Sequence, residues 1–344
     1  MVKAGIVGAS GYGGVVLVGL LLRHPDVKIE WATWETDNKS EKLSDIYPHL
    51  NGLTDIKWIE PDYDKLAKQV DVVFMAIPHG LAMNFVPKFI SAGAKVIDFS
   101  ADYRISDVAV FEKWYCKHTS PDLLKKAVFG LPEFYREKIK HAQLIANPGC
   151  YPTVSSLSIV PAIKAGLVDT SSIIIDAKSG VSGAGRSPKM NTHYPECNEG
   201  ISAYAINNHR HKPEIEQILS DAAGSKLKIS FTPHLTPMNR GILATVYANL
   251  KSPKSIDEIK KVYTQFYKDE YFVRVTDKAP TTKQVSGTNF CDIAIFLDND
   301  TNRLTITGVI DNLVKGAAGQ AVQNMNIIMG LNEKAGIDTV ATYP

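Results

Sequence analysis

The sequence predicts an α/β protein in two parts, a doubly wound parallel sheet followed by an α+β domain. Three observations carry this reading. The first half alternates short, continuous apolar runs with helical segments, a glycine-rich turn closes the first run, and beyond about residue 150 the strands lengthen. Continuous Val/Ile-rich runs between helices mark a parallel sheet covered on both faces. At 344 residues the chain is long for a single core, so two domains are expected. The first is placed at residues 1–149, completed by the C-terminal segment 312–344, and the second at residues 150–311.

The elements follow in order. Val2–Val7 reads as a buried strand, and Gly8-Ala9-Ser10-Gly11-Tyr12-Gly13-Gly14 follows at once, ahead of a helical run from Val15 to Arg23. Glycines at positions 8, 11 and 14 let the backbone approach a pyrophosphate, and the helix N-terminus attracts its charge. Tight turns need glycine too, but this turn lies between a first strand and a second (Val27 to Thr33), the context a dinucleotide site requires. Val70 to Ile77 is the next strand, ending in Pro78-His79-Gly80. Another runs from Ala94 to Phe99 and closes on Ser100-Ala101-Asp102-Tyr103-Arg104. Ligands bind at the carboxyl ends of such strands, so both turns point at one crevice. Arg104 is either a bidentate anion clamp or a surface arginine paired with Asp102 or Asp107. His79 is either a cofactor-facing residue or a capping group.

The stretch Asn147-Pro148-Gly149-Cys150-Tyr151-Pro152-Thr153 comes next, between a short strand (Gln143 to Ala146) and a periodic segment with Val154, Leu157 and Val160. Pro152 suits the first turn of a helix. Cys150 is therefore expected at a strand-to-helix corner, near unpaired N–H groups and the positive end of a helix dipole. That setting favours the thiolate. The alternative is a small buried cysteine that only packs.

Beyond Cys150, Ile173–Ala177 reads as a strand running into a flexible loop, Lys178-Ser179-Gly180-Val181-Ser182-Gly183-Ala184-Gly185-Arg186, with polar loop to about residue 201. Asn207-Asn208-His209-Arg210-His211-Lys212-Pro213-Glu214 introduces a helix. Strands follow at Lys228–Phe231 and Ile242–Leu250, a helix at Ile256–Phe266, a strand near Phe272, and a hairpin of Phe290–Leu297 with Leu304–Ile310. Strands with helices on one side suggest an α+β sheet domain. The chain ends in a helix rich in small residues, from about Asp311 to Leu331, expected to pack on the first domain.

Composition excludes several functions. The chain is 44% hydrophobic and 22% charged, with a net charge of +2 and dispersed basic residues, so no nucleic-acid footprint is present. No apolar run reaches the roughly 18–20 residues of a membrane span, and no signal peptide is expected. Cys116, Cys150, Cys197 and Cys291 lie far apart with no CxxC pair. This points to reduced thiols in the cytoplasm rather than disulfides or zinc. His193 and Cys197 are four apart, but Pro195 between them marks both as loop residues, and no metal is expected.

Taken together, these motifs resemble the N-acetyl-gamma-glutamyl-phosphate reductase family, relatives of aspartate-semialdehyde dehydrogenase and, more distantly, of glyceraldehyde-3-phosphate dehydrogenase. The resemblance rests on GASGYGG at Gly8–Gly14, SADYR at Ser100–Arg104, NPGCYPT at Asn147–Thr153, SGVSGAGR at Ser179–Arg186, HRHKPE at His209–Glu214 and DNLVKGAAGQAVQNMN at Asp311–Asn326. It covers essentially the whole chain. It implies a Rossmann-type first domain, a catalytic and dimerisation second domain, and a homodimer or homotetramer. It also implies reductive dephosphorylation of N-acetyl-glutamyl 5-phosphate, with Cys150 as nucleophile and His209 as base, His211 being the second candidate. Arg104, Arg210 and His211 would contact the substrate. NADP would be held by Gly8, Ser10, Gly11, Tyr12, Gly13, Thr33, Thr36 and Pro78, and by Ser179, Gly180, Ser182, Gly183 and Asn312 of the second domain.

One segment departs from the family. The turn Thr33-Trp34-Glu35-Thr36-Asp37-Asn38-Lys39 has no arginine. Glu35 or Asp37 facing the ribose would repel a 2′-phosphate, whereas Thr33, Thr36 and Lys39 would favour it if the carboxylates face water. NADP is the expectation. Three other readings stay open: an aspartyl-phosphate reductase, whose cysteine and histidine motifs differ from these, an N-acetyl-aminoadipyl-phosphate reductase, and a nucleotide-sensing protein without catalysis.

Overall fold

A computed structural model describes residues 1–34 and 42–343. The cofactor-turn residues Glu35, Thr36, Asp37 and Lys39 therefore lie outside the described residues. The chain forms two compact units, Met1–Pro148 with Ala317–Asp338, and Gly149–Gly316 with the last residues from Thr339 on.

Among the described residues the first unit is built on six strands: β1 (Val2–Val7), β2 (Val27–Thr33), β3 (Val72–Met75), β4 (Lys95–Asp98), β5 (Val128–Phe129) and β6 (Leu144–Ala146). Their order is β2-β1-β3-β4-β6-β5, and every pairing is parallel. β3 and β4 are buried along their whole length or nearly so, as a sheet covered on both faces requires. The chain leaves β1 for β2 on one side and returns to β3 on the other. This switch opens a crevice at the carboxyl ends of β1 and β3. β5 has no counterpart in the sequence reading, because two residues carry no periodicity. One face packs Trp31, Met75, Phe89, Val96, Tyr103 and Phe111 into a core. Within this unit the closing helix Gly319–Ile328 is tied down through Asn324, whose Nδ2 donates to Gly130 O at 2.9 Å and to Asn147 Oδ1 at 3.1 Å.

The second unit holds seven strands: β7 (Ile174–Gly180), β8 (Ser202–Ala203), β9 (Ser230–Thr236), β10 (Ile242–Asn249), β11 (Val273–Thr276), β12 (Cys291–Asp298) and β13 (Arg303–Ile310). They form one mixed sheet in the order β11-β12-β13-β10-β7-β9-β8. The expected hairpin is β12–β13, in antiparallel register from Cys291↔Ile310 to Asp298↔Arg303. Lys178, Ser179 and Gly180, read from sequence as loop, continue β7 instead. Ladder pairing, of Lys178 and Ser179 to both β10 and β9 and of Gly180 to β9, overrides their weak strand propensity. Of the pair read as loop, His193 stays outside regular structure as a helix cap and only Cys197 differs. Tyr194–Cys197 is a single helical turn, with Pro195 in its first turn where proline is tolerated.

The helix Cys150–Lys164 packs on β10 and β13. Gly308 of β13 permits the close approach, since a Cβ there would lie 2.3 Å from Ser158 Oγ. Pro161 stands inside this helix and cannot donate to the Leu157 carbonyl four residues back. Tyr267 Oη donates to that carbonyl instead, and Tyr263 Oη to the carbonyl of Ser158 at 2.8 Å. Among the described residues no helix is long and apolar enough to cross a membrane. None of their His, Cys, Asp and Glu side chains form a group of three or more able to hold a metal ion.

Candidate active site

In the first unit the glycine turn is folded against the end of β3. Gly8 has φ +91°, and a Cβ there would meet Ala76 O at 2.4 Å. A Cβ on Gly14 would meet Gly8 O at 2.3 Å. The N–H groups of Gly8 and Ala9 both donate to Thr33 O at 2.9 Å, and Tyr47 Oη donates to Ser10 O at 2.8 Å. Gly11 opens the helix Tyr12–Leu21 with no side-chain cap, which leaves its first N–H groups for an anion. The structure thus gathers Gly8, Ser10, Gly11, Tyr12, Gly13, Thr33 and Pro78 at the carboxyl ends of β1, β2 and β3. These residues fit a dinucleotide pyrophosphate.

The turn after β4 is a buried polar network. Asp102 accepts from the N–H groups of Gly80 at 2.7 Å and Met83 at 3.0 Å. His79 Nδ1 accepts from Ala101 N at 2.9 Å, so His79 serves to tie the two turns together. Asp98 takes both the N–H and the hydroxyl of Ser100, at 2.9 and 2.7 Å. Burial, and then the charge of Asp102, push Asp98 up to about 7. Arg104 is buried. Its Nε donates to Asn147 O at 2.7 Å and its Nη2 to Phe99 O at 2.6 Å. It thereby ties the end of β4 to the turn that leads toward Cys150.

In the second unit Cys150 is the first residue of its helix, and Gly149 is the cap, at φ −69° and ψ 156°, with no side-chain cap bond. Pro152 removes one N–H from the first turn, and Thr153 N closes the turn on Gly149 O at 3.0 Å. A Cβ on Gly316 would lie 2.7 Å from Cys150 Cβ, so backbone packs directly against the cysteine. Gly149 N in turn donates to the fully buried Glu214 Oε1 at 2.8 Å.

Both histidines of HRHKPE face Tyr151, with ring centroids 5.5 Å away for His209 and 5.9 Å for His211. His209 Nδ1 accepts from His211 N at 3.0 Å, and its Nε2 lies 3.3 Å from Tyr204 Oη. Burial, then Arg210, lower His209 to about 4. Burial also pushes Tyr204 up to about 12 and moves Tyr151 in the same direction. Arg210 is exposed.

Ser179, Gly180, Ser182, Gly183 and Asn312 also converge within this unit. Asn312 Oδ1 accepts from Gly241 N at 2.7 Å, and its Nδ2 donates to Ser182 Oγ at 3.0 Å. A Cβ on Gly183 would lie 3.1 Å from Ser179 Oγ and 3.6 Å from Asn312 Nδ2. Sequence reading gave no role to Tyr151, Tyr204 or Glu214. Glu214 was within reach, as an acidic residue right after a first-turn proline; Tyr204 carries no local signal.

Comparison with known proteins agrees with this architecture. The family model described as semialdehyde dehydrogenase, NAD binding domain, matches residues 3–142, and that described as semialdehyde dehydrogenase, dimerisation domain, matches residues 150–312. Aspartate semialdehyde dehydrogenase II of Vibrio cholerae, complexed with ASA, aligns with a TM-score of 0.73 at 16% identity, over 96% of this chain and 98% of that one. Aspartate semialdehyde dehydrogenase with NADP from Candida albicans gives 0.70 at 16% identity, again over 96% and 98%. At such identity the likeness speaks for the fold alone. The N-acetyl-gamma-glutamyl-phosphate reductase of Lachnoclostridium phytofermentans is 50% identical over 350 residues, covering 100% of both chains. That of Acetivibrio thermocellus is 49% identical over 346 residues with the same coverage. With this identity sustained from end to end, the chain belongs to the N-acetyl-gamma-glutamyl-phosphate reductase family.

Proposed function

We propose that the chain is an NADP-dependent reductase of arginine biosynthesis. It converts N-acetyl-L-glutamyl 5-phosphate to N-acetyl-L-glutamate 5-semialdehyde and phosphate through a thioester on Cys150. The observation that carries the reading is the position of Cys150 as first residue of a helix whose cap, Gly149, makes no side-chain bond to it, with Gly316 backbone against the cysteine. The thiolate attacks the acyl phosphate carbon, the C–O bond to phosphate breaks, and phosphate leaves. NADPH, when bound, supplies the hydride. The oxyanion on the former carbonyl oxygen is stabilised by the N–H of Cys150 at the helix N-terminus. Its collapse expels the thiolate and frees the aldehyde.

The base comes from the histidine pair. The family resemblance points first to His209, with His211 the second candidate; both ring nitrogens of His209 are engaged within the protein. His209→Asn and His211→Asn rank the two: loss of the base should lower kcat by roughly 10²–10⁴ and loss of the other histidine by less. Arg210, exposed between them, is placed on an anionic end of the substrate. Arg104 orders the approach to the cysteine and is the second candidate for that contact. Asn312 and the Ser179–Gly183 segment are assigned to the nicotinamide side of the cofactor, and the first-unit glycine turn to its pyrophosphate.

The dimerisation-domain match supports a homo-oligomer, and a homodimer or homotetramer is proposed. No disulfide joins any of the four cysteines, which fits the cytoplasm. The deciding assay runs the reaction backwards, with N-acetyl-glutamate semialdehyde, phosphate and NADP+, following reduced nicotinamide. Wild type should turn over and Cys150→Ala should not. In the forward direction, kcat/KM for NADPH against NADH tests the cofactor, and Lys39→Ala should raise KM for NADPH more than for NADH. A clear preference for NADH would show that Glu35 and Asp37 decide the cofactor.

A further inference from the structure

Between β8 and the histidines the backbone is bent by two left-handed residues that are not glycine, Ala205 at φ 45° and Asn207 at φ 59°. Such conformations are strained and persist where the surroundings enforce them. The bend brings Tyr204 back onto His209, with ring centroids 5.4 Å apart at 75°.

The polar atoms there form a chain with one direction. His209 Nδ1 accepts the N–H of His211 at 3.0 Å, so the ring proton sits on Nε2 and is donated to Tyr204 Oη at 3.3 Å. Tyr204 donates onward to Tyr151 Oη at 3.2 Å, and Tyr151 to the carbonyl of His234 at 3.1 Å. The chain begins at a histidine of the site and passes through the side chain next to Cys150, whose hydroxyl also meets the Ser179 side chain.

We infer that Tyr204 is a positioning residue: its hydroxyl accepts the Nε2 proton of His209 and so holds that ring in place as a neutral imidazole, and it holds Tyr151, and through it the first turn of the cysteine helix. The inference rests on the thioester reading above. The groups around the His209 ring are Tyr151 of the cysteine helix, Tyr204 of the bent loop, Arg210 and His211 of its own segment, and the apolar Phe231 of β9. None of these is a carboxylate that would favour a charged ring.

The test is Tyr204→Phe in the full chain, alongside ring-nitrogen NMR of His209 assigned with His209→Asn. Loss of one hydrogen bond predicts a kcat about tenfold lower, with KM for NADPH within about twofold. An ionisation near pH 6 should enter the acid limb of the kcat profile as the ring is released. Wild-type His209 should show the Nε2–H tautomer at pH 6, and Tyr204→Phe a mixture with the charged form. Wild-type kcat and an unchanged pH profile in Tyr204→Phe would overturn the inference, as would an Nδ1–H or charged His209 in the wild type. Should Tyr204→Phe fail to fold, Tyr204→Met, which also removes the hydroxyl, takes its place with the same expected and overturning results. Cys150→Ala separates the two ideas, since activity in that variant removes the thioester reading and leaves the tautomer result untouched.

Discussion

The N–H of Gly149 donates to Glu214 Oε1 at 2.8 Å. One residue caps the helix that begins with the cysteine, and the other is a carboxylate without solvent exposure in the first turn of the helix Lys212–Ala223. The motif that supplies the histidines therefore also sets the cap that orients Cys150. Glu214→Leu leaves a buried N–H without its acceptor, at a cost of about 1–3 kcal/mol. Both Tm and kcat should fall, whereas Glu214→Gln keeps an acceptor oxygen and should stay closer to wild type. A leucine variant equal to wild type in both would show that the bond orients nothing.

Gly316 makes a second, steric prediction. A methyl group there would stand 2.7 Å from Cys150 Cβ and 3.2 Å from its Cα, closer than carbon atoms tolerate. Because the obstacle includes backbone, the first turn of the cysteine helix must shift. Misplacement of a nucleophile by about 1 Å costs on the order of 10²-fold in rate. Gly316→Ala should lose kcat on that scale while binding NADPH normally in a fluorescence titration. Retention of full kcat would mean that the cysteine tolerates the displacement.

Pro161 and Tyr267 should be coupled. Proline withdraws the helical donor for the Leu157 carbonyl and Tyr267 replaces it. Tyr267→Phe should destabilise the fold by about 1–3 kcal/mol. In a Pro161→Ala background, where the helix regains its own N–H, the same change should cost clearly less. Denaturant titrations of the four proteins give the coupling directly. Strict additivity would show that the carbonyl does not need its tyrosine.

What sequence reading recovered and what it missed divide along physical lines. Local patterns were recoverable: apolar runs gave β1, β2 and the β12–β13 hairpin, and glycine spacing gave the turn after β1. The proline and periodicity after Cys150 gave a helix there, although it starts at the cysteine itself. Long-range pairing was not recoverable. Ser179 is strand only because β9 and β10 flank it, and Gly180 because β9 pairs with it. Tyr204 reaches His209 only through left-handed backbone at Ala205 and Asn207, which side-chain chemistry does not announce. Arg104 looked equally suited to an anion or to the surface. Its observed partners are carbonyls of Phe99 and Asn147, the latter 43 residues away.

Two buried groups should give opposite pH dependences of stability. His209 is lowered from 6.5 to about 4 by burial and Arg210. The unfolded chain therefore binds more protons between those values. This contribution is fully present above about pH 6.5 and is lost as the pH falls toward 4. Asp98 is raised from 3.8 to about 7 by burial and Asp102, so here the folded chain binds more protons. Its contribution is present below about pH 4 and is lost as the pH rises through 7. Each group changes stability by at most about 1.4 kcal/mol per pH unit, and between pH 4 and 6.5 the two slopes oppose one another. Removing one should expose the other. His209→Gln should leave a stability that declines with rising pH across that window, and Asp98→Asn one that climbs. Denaturant midpoints taken at half-unit steps from pH 4 to 8 read both slopes. Variants whose slopes match the wild type would show that neither group titrates away from its ordinary value on folding.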